Sequence, residues 1–342
     1  MWWVWAIACG PRLPRGEAWI TVARAPVTVV DAPSDEAGPE IELVVDAGSE
    51  RDPLGREGSA WVVADAVFRP LGASWSTTVR SVDARVPCAA GEEASCVDAL
   101  VAALVAPDLG PAALDRAREA GAASLRWADD AALAHGAVDL IRFRSHPWGH
   151  LPAGRTSVLP TLSEAELRSF HRARWTRGRL SVTARGLPPE GVERLREGLT
   201  ALPPAADPLR PHGGDAPFSH LLDASGVWVV SRAAADGSDR ATVAAAWPAD
   251  LDPDARSESI ASELEGTALV DGAVVVLDGE GLAPAVRATL TTTTDRLAAA
   301  LTALSALPGR PTVVAVTDPA GAEALRAGPT SVTVLDAETL LR

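Results

Sequence analysis

The stretch Asp46-Ala47-Gly48-Ser49-Glu50-Arg51-Asp52-Pro53-Leu54-Gly55-Arg56-Glu57-Gly58-Ser59-Ala60-Trp61-Val62-Val63-Ala64-Asp65-Ala66-Val67-Phe68 decides how the rest of the chain is read. The residues before it, Ile41 to Val45, are β-rich, so a strand runs into a loop punctuated by Gly and Pro. Gly58-Ser59-Ala60 then opens a helix over about Gly58 to Arg69. Positions three and four apart on a helix lie above one another, so Trp61, Ala64 and Asp65 share one face.

Outward from this stretch, Trp19 to Asp31 and Glu40 to Val45 read as strands separated by the polar turn Ala32 to Pro39. From Ala73 to Val86 the alternation starts on Trp75, Thr77 and Val79 and changes phase to Val82, Ala84 and Val86, which predicts one strand with a bulge near Ser81. Helices are predicted over Val97 to Ala106, Pro111 to Ala128 and Ala131 to Arg144, and another over Leu162 to Trp175, where Ser163 and Glu166 form a capping box. The Pro-, Gly- and Asp-rich run from Pro203 to Pro217 is a linker candidate. Beyond it, strands are expected at Val227 to Ser231, Ala241 to Trp247, Ala273 to Leu277, Val286 to Thr291, Thr312 to Thr317 and Ser331 to Leu335. Helices are expected at Ser257 to Glu265, Asp295 to Leu307 and Pro319 to Ala327.

A chain of 342 residues has room for two domains, each with its own core. The net charge of −14, with no basic run, argues against nucleic-acid binding and against docking on anionic lipid. Every basic residue other than His is Arg, and Lys, Asn, Gln and Tyr are absent, a bias that a G+C-rich genome explains. No apolar run reaches the length of a membrane span. The first residues, Met1 to Gly10, are apolar up to Cys9, which small residues precede. They have the look of the end of a lipoprotein signal, in which Cys9 is lipidated, or of a merely greasy terminus. Cys88 and Cys96 flank a hairpin tip in this reading; they are either a disulfide in an oxidising compartment or two free thiols.

The layout of the opening stretch resembles the M16 metallopeptidases (insulinase, pitrilysin, mitochondrial processing peptidase). In that family a similar strand, an A-G-S…E-P-x-G…G-x-A loop and a helix carry His-x-x-Glu-His, followed by an aromatic matched here by Phe68. Two imidazoles hold zinc and the Glu is general base to the metal-bound water. The corresponding places read Trp61, Ala64 and Asp65. The family's third ligand, a Glu, falls at Ala123 or Ser124, with Glu119 a full turn away. A second point of resemblance is His146-Pro147-Trp148-Gly149-His150-Leu151-Pro152-Ala153-Gly154, matching an H-P-[YF]-G-x-P…G loop. Further on, the family has a strand closing on a Gly, matched by Arg179 to Gly186, and a helix starting at a Pro, matched by Pro189 to Leu202. His146 and His150 have a spacing that suits metal ligands on a helix, but Pro147 and Gly149 put them on a loop. His135, His171, His212 and His220 read as surface or packing residues.

The resemblance implies an α+β protein of two LuxS/MPP-like domains, each a mostly antiparallel sheet with helices packed on one face, the second domain shortened. The expected boundaries are 1–18 for a signal-like N-terminus, 19–203 for the first domain with its degenerate zinc motif, 204–217 for the linker and 218–342 for the second domain. In the second domain Ser262-Glu263-Leu264 is at best a remnant of the family's S-R-L helix, and the Tyr of its substrate-contacting Arg/Tyr pair is missing. The family adds substrate peptide as an extra strand on a sheet edge, placed here at Ser74, Trp75, Ser76, Thr77, Thr78 and Val79. The alternative for that segment is an ordinary sheet strand.

Function follows from what the three replaced positions can do. Zinc with three protein ligands lowers the pKa of its water to roughly 7. Trp61 cannot ligate the ion, Ala64 cannot take a proton, and Asp65 cannot hold zinc alone. The expected protein is a catalytically inactive M16 homologue without zinc. It pairs with an active M16 subunit and helps enclose or bind peptide, in the envelope or periplasm of a Gram-negative bacterium. The alternative is an envelope-anchored peptide-binding or scaffold protein with no peptidase partner. A hydrolase with a relocated site has no nucleophile-elbow motif to support it.

Overall fold

The computed structural model describes residues 29–32, 38–126, 128–143, 149–204, 226–232, 239–248, 260, 272–278, 285–307, 311–328 and 331–341. The Trp19 to Thr28 part of the strand predicted over Trp19 to Asp31, Cys9, the His146–Trp148 segment, the linker from 205 and the helix expected at Ser257 to Glu265 lie outside these residues, apart from Ile260, which is helical and buried.

Alternation builds the first sheet. In β2 (Glu40–Val45) Ile41, Leu43 and Val45 are buried while Glu40, Glu42 and Val44 turn to the other face. β2 pairs antiparallel with β4 (Val82–Pro87) and β5 (Leu180–Arg185), setting Leu43 between Ala84 and Val182, so the apolar residues of three strands form one surface. β1 (Val29–Ala32) runs parallel to β5, and β3 (Ser74–Thr77) lies antiparallel to β4, giving the order β1-β5-β2-β4-β3. The opposite face is polar: Glu42 pairs with Arg185 (3.0 Å) and Arg85 (3.4 Å) across neighbouring strands.

All ten residues of α1 (Ser59–Phe68) are buried, and α1 packs against β3, β4, α3 (Pro111–Arg126) and α5 (Glu164–Arg174). α2 (Glu93–Val105) packs against α6 (Pro189–Leu199). At the start of α5 the Ser163 side chain accepts from Glu166 N–H while Glu166 accepts from Ser163 N–H. This reciprocal cap contributes about 1 kcal/mol.

The second unit repeats the plan. β6 (Gly226–Ser231), β7 (Arg240–Pro248), β8 (Gly272–Asp278), β9 (Ala285–Thr293), β10 (Thr312–Thr317) and β11 (Thr333–Asp336) form a sheet in the order β11-β6-β10-β7-β9-β8. Strands β6 to β10 reproduce the order and senses of β1 to β5, with β10 parallel to β6 and antiparallel to β7. Among the described residues one helix, α7 (Leu297–Ala306), stands between β9 and β10, where the first unit has α2, α3 and α5; α8 (Pro319–Ala327) follows β10 as α6 follows β5. The architecture is therefore α+β, with the second copy shorter.

The structure departs from the expected boundaries at one helix. α4 (Asp130–Arg142) lies inside the span assigned to the first domain, yet it groups with the second unit, whereas the first unit resumes at His150. The cause is apolar surface: Leu133, Ala134, Ala137, Val138 and Ile141 pack on Val230, Ala244, Ala246, Val314 and Val316, the second face of the second sheet. The short terminal helix α9 (Ala337–Leu341), absent from the sequence reading, joins them through Ala337 and Leu341. The first face of that sheet is covered by α7 and α8, through Leu297, Leu301, Leu304, Ala322 and Leu325.

Candidate functional site

The loop after β2 is fastened to the β3–β4 connection. Gly48, Ser49 and Glu50 donate backbone N–H to the carbonyls of Arg80, Thr78 and Val79 at 2.8, 3.0 and 2.8 Å. Gly48 is required here, since a Cβ would stand 2.3–2.6 Å from the Arg80 and Ser81 backbone. The chain then returns so that Asp52 meets the N-terminus of α1. Its Oδ2 accepts from Gly58 N–H (2.6 Å) and its Oδ1 from Ala60 N–H (2.7 Å), satisfying two donors that a helix start leaves open. Burial pushes the Asp52 carboxyl well above the usual carboxylate range, and the two N–H donors pull against that.

The second loop of the resemblance closes onto the first. Gly154 (φ 88°) has no room for a side chain: a Cβ would meet the Glu57 carbonyl oxygen at 2.3 Å and Gly58 Cα at 2.5 Å. Arg56 bridges onward to Glu166 at 2.5 Å; hydrogen bonds from Ser163, with Arg56, hold the Glu166 carboxyl at about 2. The two stretches that carry the resemblance are thus neighbours, pinned around the start of α1.

On α1 the three motif positions are occupied in three ways. Trp61, 9% exposed, meets Trp75 of β3 edge-on, with ring centroids 5.0 Å apart and planes at 62°. On α3, a Cβ placed on Gly121 would lie 3.3 Å from two Trp61 ring carbons, so the glycine leaves the indole its space. Ala64 is fully buried. Asp65, 2% exposed, is held by Arg69 one turn on, with Nε at 2.9 and 3.0 Å from its two oxygens and Nη2 at 2.5 Å from Oδ1. That bond raises the Arg69 pKa. The i,i+4 spacing of Asp65 and Arg69 was visible in the sequence and would have found this pair. Gly121 carried no comparable signal.

Zinc does not fit this donor set. An indole offers only an N–H, alanine offers nothing, and both Asp65 oxygens already accept from a guanidinium. On α3, Glu119 and Ser124 are exposed and Ala123 is half-buried. Among the described residues no group of three or more His, Cys, Asp or Glu side chains is placed to hold a metal ion.

The remaining candidates fall as follows. β3 is an edge of its sheet among the described residues, but it covers only Ser74 to Thr77; Thr78 and Val79 belong to the connection to β4. The bulged strand expected from Ala73 to Val86 is therefore a hairpin. Its turn has no Gly, Pro, Asn or Asp and is held instead by Thr78, whose Oγ1 accepts from Arg80 and Ser81 N–H at 3.1 and 2.9 Å. His150 is buried against the Leu151 carbonyl (Nδ1 to O 3.0 Å), and burial lowers its pKa. His171 is buried against the Leu104 carbonyl (2.9 Å), and burial lowers its pKa to about 4. His135 meets Thr289 Oγ1 at 2.6 Å. His146, His212 and His220 lie outside the described residues. Cys88 and Cys96 are joined in a disulfide with Cα atoms 5.6 Å apart. It links the end of β4 to the first turn of α2, not two sides of a hairpin tip.

No protein-family model and no curated protein matches the sequence. Solved structures do match. A peptidase M16 inactive domain from Pseudomonas fluorescens superposes with a TM-score of 0.61 at 17% identity, over 84% of this chain and 76% of that one. Pitrilysin superposes at 0.60 and 17% identity, over 80% of this chain and 33% of its own. The fold is that of the M16 peptidases. The first half of the periplasmic protease PqqL from Escherichia coli shares it at a TM-score of 0.53 and 12% identity, over 80% of this chain and 68% of that half. At these identities the M16 likeness speaks for the fold, and what the chain does depends on its own residues.

Proposed function

We propose that this chain is a catalytically inactive M16 peptidase homologue, the non-catalytic subunit that pairs with an active zinc metallopeptidase and helps enclose or bind its peptide substrate. One observation carries the reading. The helix that presents the family's ligands here presents an indole packed against Trp75 and Gly121, a methyl group, and a carboxylate tied to Arg69. Without metal and general base the neutral water nucleophile is not activated, and loss of the base alone costs about two to four powers of ten. The likeness to an M16 inactive domain supports the reading. The proposed peptide-docking place is β3, which is an edge of its sheet among the described residues, and an extended peptide would add there as a further strand.

The proposed location is the cell envelope or periplasm, supported by the Cys88–Cys96 disulfide and by the periplasmic PqqL likeness; anchoring through Cys9 is part of the same proposal. The test is metal analysis and a peptidase assay on the purified full chain, alone and with an intact M16 peptidase from the same source. Less than 0.1 equivalent of zinc, no cleavage alone, and co-elution with the peptidase are expected. One equivalent of zinc would overturn the dead-site reading. Zinc-free chain that stays apart from the peptidase would favour the scaffold alternative.

A further inference from the structure

Helix α2 is fastened unequally at its two ends. Toward its C-terminal end it buries Leu100 and Leu104, and Val101 lies so close to α6 that a Cβ on Gly198 would stand 2.6 Å from its side chain. The Leu104 carbonyl meets His171, and Asp98 makes a two-pronged ion pair with Arg194, both bonds at 2.5 Å. The first turn is built differently. Its N-cap residue Glu92 makes no side-chain cap, and the polar side chains bond to near neighbours: Glu93 Oε1 accepts from Gly91 N–H (3.0 Å) and Ser95 Oγ donates to the Glu92 carbonyl (2.9 Å). Ala94 and Ser95 are exposed, Cys96 is half-buried, and the first fully packed side chain is Val97. The bond from Cys96 to Cys88 ties this turn to the sheet, since Cys88 follows β4 and donates its N–H to the Pro39 carbonyl at 2.9 Å.

We infer that the Cys88–Cys96 disulfide is a redox-operated strap: thiols open it in the folded protein, and the first turn of α2 then unwinds while the rest of α2 stays on α6. Access favours this, because Ala89 to Glu92 are exposed and Cys96 is the half-exposed sulfur, whereas Cys88 is 7% exposed. Thermodynamics favours it too. A fold protects a disulfide from reduction by as much as the disulfide stabilises the fold, and a bond between residues eight apart constrains the unfolded chain less than one closing a long loop. The exchange balances. One thiolate attacks Cys96 Sγ, the S–S bond breaks, and Cys88 leaves as a thiolate and takes a proton. A second thiolate attacks the sulfur of the reductant in the mixed disulfide, Cys96 leaves and is protonated, and the reductant departs as its own disulfide. Two electrons and two protons have passed to the protein, from one dithiol or from two monothiols.

The test takes the folded full chain, without denaturant and at neutral pH, and adds millimolar reduced glutathione. Thiols are counted by alkylation and mass spectrometry, and amide exchange is followed along α2. The informative amides are those of Cys96 to Ala99, which a helix bonds to the carbonyls of Glu92 to Ser95. Two additional thiols are expected, with tryptophan fluorescence unchanged. Exchange at Cys96 to Ala99 should quicken roughly tenfold or more, while Leu100 to Val105 keep their protection. Reoxidation should restore the slow exchange, and Cys88→Ser should show the fast exchange with or without glutathione. A bond that yields only after urea has unfolded the chain would overturn the strap and make the disulfide a fixed staple. So would reduction that leaves exchange unchanged, or that loosens the whole first unit at once.

Discussion

Sheets β1–β5 and β6–β11 share a strand order but differ in what lies on their second face, and the difference is written in matching strands. β5 reads Leu180-Ser181-Val182-Thr183-Ala184-Arg185, with Leu180, Val182 and Ala184 buried and Arg185 paired to Glu42 on the polar side. Its counterpart β10 reads Thr312-Val313-Val314-Ala315-Val316-Thr317 and is buried at every position, because Val314 and Val316 face α4. A sheet with one apolar face needs one layer of helices; a sheet with two needs a second layer, and here it comes from a segment that interrupts the other unit. A duplicated strand plan therefore does not imply two equivalent halves.

The sharpest way to break this comparison is to place a charge at matching positions. Val316→Asp buries an unpaired carboxylate against α4 and should cost about 4 kcal/mol or more, emptying the second unit of cooperative structure. Thr183→Arg, set opposite Glu42, should change stability by less than about 0.5 kcal/mol. Urea titrations of both variants measure the difference, and similar costs would mean that the polar face of the first sheet is covered as well.

Acid should also distinguish the units, with a smaller effect. His171 belongs to the first unit and has a folded pKa of about 4 against roughly 6.5 unfolded. Its neutral form fits the fold, so the associated stability is complete above the unfolded value and is lost as pH falls through the folded one. The maximum loss is on the order of 3 kcal/mol. Between pH 7 and 4 His171→Leu should flatten this part of the pH dependence in a denaturation series, and an unchanged slope would show that the imidazole is not its source.

The smallest expected effect concerns the Cys88–Cys96 link, which also lies in the first unit. Cys88→Ser should lower stability by about 2 kcal/mol in oxidising buffer, from the lost constraint on the unfolded chain. In reductant, variant and wild type should melt together; an equal deficit there would mean that Cys88 contributes as a packed thiol.

What the sequence revealed and concealed follows the same physics. Helix α1, the capping box at Ser163 and the alternation of β2 rest on local periodicity or chemistry and are legible from neighbouring residues. The turn at Thr78–Ser81 was hidden because a threonine hydroxyl does the work usually signalled by Gly or Asn, so a phase change that meant a reversal read as a bulge. The apolar stripe of α4 announced a helix with a face to bury, but a stripe does not say against which sheet. At the candidate site the replaced motif was plain, whereas Gly121 acquires its meaning only when α3 is laid against Trp61.

The allegiance of α4 carries a consequence for how the protein is made. During synthesis this segment, complete at Arg142, leaves the ribosome well before β6, which begins at Gly226, and its greasy side has no home until β10 has emerged. The nascent chain thus carries an unsheltered helix through much of translation, which makes that interval a natural point for chaperone engagement. For the same reason a fragment cut at the linker would inherit a bare valine- and alanine-lined sheet face and precipitate unless the missing helix were supplied in trans.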